Sequence, residues 1–191
     1  LLHPTSESGS VSNSKWLSGP TFKLKEPTRP QRISFFIKVN PNTKAATKDW
    51  STAISFGGPT AHGKEAALSF SIGDKIMYGL IQKGKFFHLE TTRMSSLDVE
   101  TVMDQWYKID FHLDWNIRKY SFYVNDILQG EAKDFNLSSV NHVTTKAKES
   151  NVKTWIDEIY IGTDTSMNFA CPYVGHDGSV YVRGRNNAVD W

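Results

Sequence analysis

Two tryptophans stand beside polar residues at the ends of predicted strands, a combination of side chains that suits a sugar. Trp50 follows Asp49, and Trp115 lies between Asp114 and Asn116. An indole face can cover the C–H side of a pyranose ring while neighbouring carboxylates and amides bond its hydroxyl groups. The same tryptophans could instead cover the hydrophobic core at a turn, so both interpretations stay open at this point.

Two more polar side chains could complete such a rim, since His62 and Lys64 lie in or beside the loop that begins at Gly57. A protein partner would use the same residue types differently, because Trp, Tyr and Arg dominate the energetics of protein interfaces. An exposed edge strand would offer a further docking mode, by addition of a strand from the partner. The residues alone therefore predict binding of a protein or of a glycan.

The acidic residues do not form the pattern of a polysaccharide hydrolase. Such an enzyme needs carboxylates on one strand face, in the order Glu, x, Asp, x, x, Glu, on either side of the bond to be cleaved. Asp157 and Glu158 are adjacent, so a strand would point them to opposite faces. Asp98, Glu100 and Asp104 have the wrong spacing, and we expect them in a loop or helix. The sequence therefore predicts no enzyme.

The histidines are dispersed and lack the close spacing of metal ligands. There are six of them: His3, His62, His88, His112, His142 and His176. With a single cysteine in the chain, a site built from several thiolates is also excluded. We therefore expect no metal and no cofactor.

Cys171 has no partner for a disulfide within the chain. A lone cysteine is commonly a small buried hydrophobe. In an extracellular protein it can also be bridged to a partner or to a segment removed from the chain, which is the sharper hypothesis for Cys171. Its position before Pro172, without a flanking base, argues against a thiol nucleophile.

Asn136 begins the only N-glycosylation sequon and is a predicted glycosylation site.

The composition excludes further classes of function. The chain has 191 residues, of which 39% are apolar and 13% aromatic, and its formal net charge is +2. Basic and acidic residues are interspersed rather than gathered in a basic stripe, so no nucleic acid partner is expected. No apolar run approaches the roughly eighteen residues of a membrane-spanning helix. The high aromatic content favours strands over helices.

Alternating apolar and polar side chains place the candidate residues on strands. In Trp106–Asp114 the apolar side chains fall on one face and the polar ones on the other, the period of a half-buried strand. Arg32–Val39 and Lys119–Val124 alternate in the same way, and Asn125 and Asp126 can adopt the positive φ angles of a tight hairpin. Short strands separated by turn signals predict an all-β fold, an antiparallel β-sandwich.

The polar ends of the chain contrast with this pattern. Residues 1–14 are expected to form a flexible lead-in, residues 15–165 the sandwich, and residues 166–191 a tail or linker to another module of a larger multidomain protein. Within the sandwich, the two prolines of Glu26–Gln31 are expected to interrupt strand pairing. The segment Ser95–Asp104 is expected to form one helical turn or a loop.

Several motifs resemble those of the concanavalin A-like lectin/glucanase superfamily, especially its laminin-G-like members. WYKIDFHLDW with KYSFYVND resembles the paired strands of that superfamily, QRISFFIKV its second strand and WIDEIYIG its closing strand. The resemblance implies a jelly-roll sandwich over Trp16–Gly162 and a general binding role. Asp126 stands where glycine is usual in the superfamily, and neither a calcium-binding set nor a sugar-binding triad carries over to this chain.

These observations lead to a ranked prediction of function. The first is a non-catalytic adhesion or assembly module of a secreted or cell-surface protein, which binds a protein partner. The alternative is a lectin-like domain that binds glycans of the cell surface or extracellular space through its aromatic rim. A polysaccharide hydrolase or lyase is the third.

Overall fold

The computed structural model describes residues 17–41, 52–73, 75–82, 94–147, 152–163, 173–174 and 180–181. Every regular element in these ranges is a strand. The strands are Leu17–Thr28 (β1), Arg32–Pro41 (β2), Thr52–Pro59 (β3), Glu65–Ile72 (β4), Lys75–Gln82 (β5), Met94–Glu100 (β6), Trp106–Asp114 (β7), Lys119–Val124 (β8), Ile127–Asp134 (β9), Val140–Ala147 (β10), Val152–Gly162 (β11), Tyr173–Val174 (β12) and Val180–Tyr181 (β13).

Strands β1 to β11 form two antiparallel sheets that pack face to face. One sheet has six strands in the order β1-β10-β3-β4-β5-β6, and the other has five in the order β11-β2-β7-β8-β9. Strands β12 and β13 form a separate two-stranded sheet. This architecture confirms the predicted all-β fold, an antiparallel β-sandwich of jelly-roll type. Within the described ranges, the chain contains no α-helix of the length and hydropathy that a bilayer span requires.

Aromatic rings interlock between the two sheets. The ring of Phe35 on β2 lies 5.6 Å from those of both Phe56 on β3 and Phe70 on β4. Phe122 on β8 stacks on Tyr78 of β5 with 4.0 Å between ring centroids. All five side chains are buried. Alternate side chains of the central strands thus point into the core, and only the side chains of the outward faces and the turns are available to bind a ligand.

The predicted hairpin turn between β8 and β9 is confirmed. Asn125 and Asp126 have φ angles of 50° and 65°, the left-handed values that a tight two-residue hairpin requires. Asn125 Oδ1 accepts the backbone N–H of Lys108 at 2.9 Å and ties the turn to β7. The Asp126 carboxylate accepts a bond from Lys108 Nζ at 2.6 Å, a contact that a glycine at this position could not make.

The expected helical turn or loop over Ser95–Asp104 is wrong for most of its length. Met94–Glu100 is instead the edge strand β6, in which Ser95 lies opposite Tyr78 of β5. Asp98 and Glu100 therefore lie on a strand, contrary to expectation. Pairing with β5 decides the conformation here, because tertiary contacts override the weak local preference of a short segment.

The expected interruption of strand pairing occurs around Pro27, although the strand itself continues past it. β1 continues through Pro27 to Thr28, and its register against β10 shifts between Lys23 and Thr28. Proline is tolerated at this position because β1 is an edge strand, so the missing N–H removes no bond to a second neighbour.

The outward face of the five-stranded sheet holds a buried ion pair. Arg32 Nε and Nη2 donate to Asp110 Oδ1 and Oδ2 at 2.6 and 3.1 Å. The two side chains are only 4% and 3% exposed. Lys108 Nζ lies 3.7 Å from Asp110 Oδ2 and 2.6 Å from Asp126 Oδ1. This network joins β2, β7 and the β8–β9 turn.

Replacing Asp110 with Ala is expected to lower the free energy of unfolding by about 3–5 kcal/mol, because Arg32 would be left as a buried charge without its bidentate partner. The matched control is Asp134→Ala, which breaks the exposed ion pair between Lys119 and Asp134 and is expected to cost at most about 1 kcal/mol. Urea unfolding followed by tryptophan fluorescence measures both values. Equal losses in the two variants would contradict a structural role for the buried pair.

Candidate functional site

A cavity of about 690 Å³ opens where β7 turns into β8, at one end of the five-stranded sheet. We call it the β7–β8 cavity. Residues from the β1–β2 connection, the end of β7, the β7–β8 turn, β8, β9 and the position after β11 line it: Arg29, Gln31, His112, Leu113, Asp114, Trp115, Asn116, Ile117, Lys119, Tyr120, Ser121, Glu131, Ala132 and Thr163. The structure therefore brings three predicted site residues, Asp114, Trp115 and Asn116, into one cavity.

The β7–β8 turn is held by the Asp114 side chain. Its Oδ1 accepts the backbone N–H groups of Asn116 at 2.9 Å and Ile117 at 3.4 Å. This is the local bonding by which aspartate stabilises turns. Arg118 closes the turn with a φ of 55°, and its carbonyl accepts the N–H of Phe135 at 3.0 Å. The polar groups at the cavity rim thus have a defined backbone.

Trp115 both packs on the core and lines the cavity, which unites the two interpretations left open above. Its Nε1–H donates to the carbonyl of Pro30 at 2.6 Å. Its ring meets that of Phe135 edge to face, with 4.9 Å between centroids and 82° between planes. The Arg29 guanidinium lies 6.0 Å from the indole centroid. Three different contacts therefore fix the plane of a half-buried indole at the cavity.

His62 and Lys64 lie at this end of the sandwich but do not line the cavity. Both are exposed in the β3–β4 turn, where their backbone N–H groups donate to Thr60 Oγ1 at 3.3 and 3.1 Å. The turn is tied to the segment beside the cavity, because the Ser138 N–H donates to the Pro59 carbonyl at 2.7 Å. Their contribution to a ligand rim stays a prediction.

Arg29 links that segment to the cavity. Its Nε donates to the Ser138 carbonyl at 2.8 Å, which holds the guanidinium beside Trp115. Arg29 was not predicted as a site residue from the sequence. It is 86 residues away from Trp115 along the chain, and only the pairing of β2 with β7 brings the start of β2 beside the β7–β8 turn.

His112 presents a neutral imidazole to the cavity. Its partial burial lowers its pKa, an effect that the Asp110 carboxylate opposes and the cations Arg32 and Lys108 reinforce. Its ring lies 4.7 Å from that of Tyr123 on β8, and its Nε2 lies 3.9 Å from Asp110 Oδ1. A neutral imidazole offers one donor and one acceptor, as a sugar hydroxyl does.

Four further polar side chains of the cavity come from β8 and β9: Lys119, Tyr120, Ser121 and Glu131. Burial raises the pKa of Tyr120, so its phenol keeps its proton. Lys119 Nζ donates to Asp134 Oδ1 at 2.8 Å and to the Ala132 carbonyl at 3.3 Å. Glu131 adds a carboxylate to that of Asp114. Glu131 was missed in the sequence because nothing in its own neighbourhood marks it, and it joins the cavity only through the register of the β8–β9 hairpin.

The remaining predicted site residues either lie outside the described residues or lie away from the β7–β8 cavity. Asp49, Trp50 and Cys171 lie outside the described residues. Asn136 lies between β9 and β10 with a half-buried side chain, and its glycosylation stays a prediction. Within the described part of the chain, no three His, Cys, Asp or Glu side chains converge as a metal site would require.

No protein-family model matches the chain, and neither does any curated sequence. By structure it is similar to the botulinum neurotoxin serotype D binding domain, with a TM-score of 0.50 and 13% identity over 79% of this chain and 37% of that chain. It is also similar to the carbohydrate-binding module CBM66 from Bacillus subtilis, with a TM-score of 0.47 and 9% identity over 75% of this chain and 78% of that chain. Galectin LEC-6 of Caenorhabditis elegans gives a TM-score of 0.47 and 12% identity, over 79% of this chain and 99% of that chain. At this identity, the likeness to the neurotoxin domain concerns the fold alone, so membership of the concanavalin A-like superfamily stays a prediction.

Stability is expected to fall as the pH drops from about 7.5 to about 5. In the folded chain the pKa values of His112 and His142 are lowered from the ordinary histidine value of 6.5. As the pH falls below 6.5, these histidines therefore become protonated in the unfolded chain before they do in the folded chain. Their contribution is therefore present above 6.5 and is lost as the pH falls through the lowered values. Urea unfolding across this range should show a smaller pH effect in His112→Gln, and a smaller one still in His112→Gln/His142→Gln. An unchanged pH effect in the double variant would contradict this account.

Proposed function

We propose that the chain binds carbohydrate in the β7–β8 cavity and does not catalyse a reaction on it. The observation that carries the proposal is a half-buried indole, fixed by three contacts, in one cavity with two carboxylates, two amides, a guanidinium and a neutral imidazole. Sugars combine an apolar ring face with several hydroxyl groups, each of which can donate and accept. A rigid aromatic surface beside both donors and acceptors matches that chemistry.

The size and rigidity of the cavity support a small ligand. Its volume of about 690 Å³ lies inside the range of about 300–1,000 Å³ that is usual for ligand sites. Trp115 and the Asp114-stabilised turn are already held in place, so binding would order few side chains. Preorganisation of this kind improves affinity because less conformational entropy is lost on binding.

Binding without catalysis is supported by the contacts of Asp114, one of the two cavity carboxylates. Asp114 Oδ1 is occupied by two backbone N–H groups of its own turn. A glycosidase needs one carboxyl group to deliver a proton and the other to attack the sugar or activate water. Asp114 is engaged in stabilising the turn, which leaves it poorly placed for either role.

A protein partner remains the second candidate function, with a different surface. Large apolar side chains are exposed in the β6–β7 connection and at the β8–β9 hairpin, at the end of β7 away from the cavity: Val102, Met103, Ile127 and Leu128. Exposed apolar side chains near one another often mark an interface. A secreted or surface-displayed protein, as the sequence predicts, is compatible with either function.

A glycan array probed with the chain is expected to show selective binding. Glu131→Gln and Asn116→Ala should each lower affinity for a bound glycan by about three- to tenfold, through loss of a hydrogen bond to a hydroxyl. Trp115→Phe should lower it by about tenfold or more while keeping the ring contact with Phe135. Glu26→Gln, on β1 of the other sheet, is the control and should bind like the wild type.

Three results would contradict the proposal. The first is an array without selective binding, which would favour the protein-partner surface instead. The second is selective binding that none of the cavity variants alters. The third is cleavage of a bound glycan by the pure protein, detected by mass spectrometry of the sugar after incubation, which would show an enzyme.

A further inference from the structure

Two tryptophans flank Lys38 on the outward face of the five-stranded sheet. Lys38 of β2 lies opposite Trp106 of β7 in one ladder and opposite Trp155 of β11 in the other. Its Nζ is 5.4 Å from the ring centroid of Trp106 and 4.6 Å from that of Trp155. Both distances lie within the range of cation–π attraction. All three side chains are half-buried, so a dissolved ligand can reach the ammonium group and the rings.

Among the described residues, no carboxylate neutralises the charge of Lys38. Within the described ranges, Lys38 forms no salt bridge. Asp157, two residues after Trp155, accepts the N–H of Glu158 at 2.8 Å instead, and the exposed Lys153 adds positive charge to this end of β11. Three other cations of this face are paired with carboxylates: Arg32 with Asp110, Lys108 with Asp126 and Lys119 with Asp134.

The Lys38 cluster and the β7–β8 cavity lie on the same sheet face, towards opposite ends. His112, which lines the cavity, lies opposite Arg32, six residues before Lys38 on β2. At about 3.3 Å per residue, this separation is about 20 Å. The half-buried Tyr123 lies between the two ends on the neighbouring strand β8. Only an extended ligand could contact both ends of this face.

We propose that Lys38, Trp106 and Trp155 form a second glycan subsite that takes an acidic sugar. This inference rests on the proposed function and names its ligand as an extended acidic glycan. Between the β7–β8 cavity and Lys38 the ligand would pass over the half-buried Tyr123 of β8, because the outward side chains of β2 and β7 on the direct path are buried. The ammonium group bonds the carboxylate or sulfate of the sugar, and the indole rings contact its apolar face. Because the rings already hold the ammonium group, Lys38 loses less freedom on binding than a solvated lysine.

Calorimetric titration of the whole chain with three hexasaccharides tests the inference. Hexagalacturonate supplies carboxylates, a heparin-derived hexasaccharide supplies sulfates as well, and a galactan hexasaccharide is the neutral reference. At least one acidic ligand should bind about tenfold more tightly than the neutral one. Lys38→Met should remove most of that difference, and Lys38→Arg should retain it because arginine keeps both the charge and the stacking. Lys25→Met, on β1 of the other sheet, removes one exposed charge and should leave the difference unchanged.

Trp155→Ala and the cavity variants distinguish a failure of the Lys38 subsite from a failure of the proposed β7–β8 binding site. Trp155→Ala should lower the affinity for the acidic ligand by about tenfold, with thermal unfolding as the check that the variant is folded. The inference is overturned if neither acidic ligand exceeds the neutral one, or if Lys38→Met binds like the wild type. If Lys38→Met loses affinity and Glu131→Gln does not, the Lys38 subsite stands and the proposed role of the β7–β8 cavity falls. If no glycan binds, both fall.

Discussion

The interlocking of aromatic rings between the sheets is the constraint on which the rest of the structure depends. Phe35 contacts rings from two strands of the opposite sheet, and Phe122 stacks on Tyr78. Rings of this size fill the gap of about 10 Å between packed sheets and fix the register of each strand, because a slip by one residue would turn its aromatic side chain to the outside. Once the core is filled in this way, chemistry is confined to the outward faces and the turns.

The outward face of the five-stranded sheet therefore has to keep its buried charges paired and also to carry candidate binding groups. Its central strands are screened from water, so charged residues there must be paired, as Arg32 and Asp110 are by two hydrogen bonds. The same pair lies next to His112 and contributes to its electrostatic surroundings, with Asp110 favouring the protonated imidazole and Arg32 opposing it. Partial burial prevails and keeps the imidazole neutral. A structural ion pair and a candidate binding group are thus parts of one network.

Much of the fold follows from the sequence because strand alternation is a local property. The alternation of side chains in Trp106–Asp114 predicts its inward and outward faces without any information on the neighbouring strands. Asn125 and Asp126 predict a hairpin because both residue types tolerate positive φ angles. The edge strand β6 could not be recognised in this way, because its short mixed segment is extended only by pairing with β5. The same limit applies to the site. The turn residues around Trp115 are neighbours in sequence and were found, whereas Arg29 and Glu131 reach the cavity only through strand register.

Trp115 shows why packing and binding need not be competing explanations of one residue. Its edge contact with Phe135 and its bond to Pro30 are structural, yet they also set the plane of the ring beside the cavity. A fully exposed indole would present more surface but would have to be ordered by the ligand, at a cost in side-chain entropy. Lys38 illustrates the same principle with a charge in place of a ring face, since the two tryptophans that stabilise its ammonium group also hold it at the surface. In both places the contacts that order the side chain leave part of it accessible, which is the condition for a preformed site on a rigid sheet.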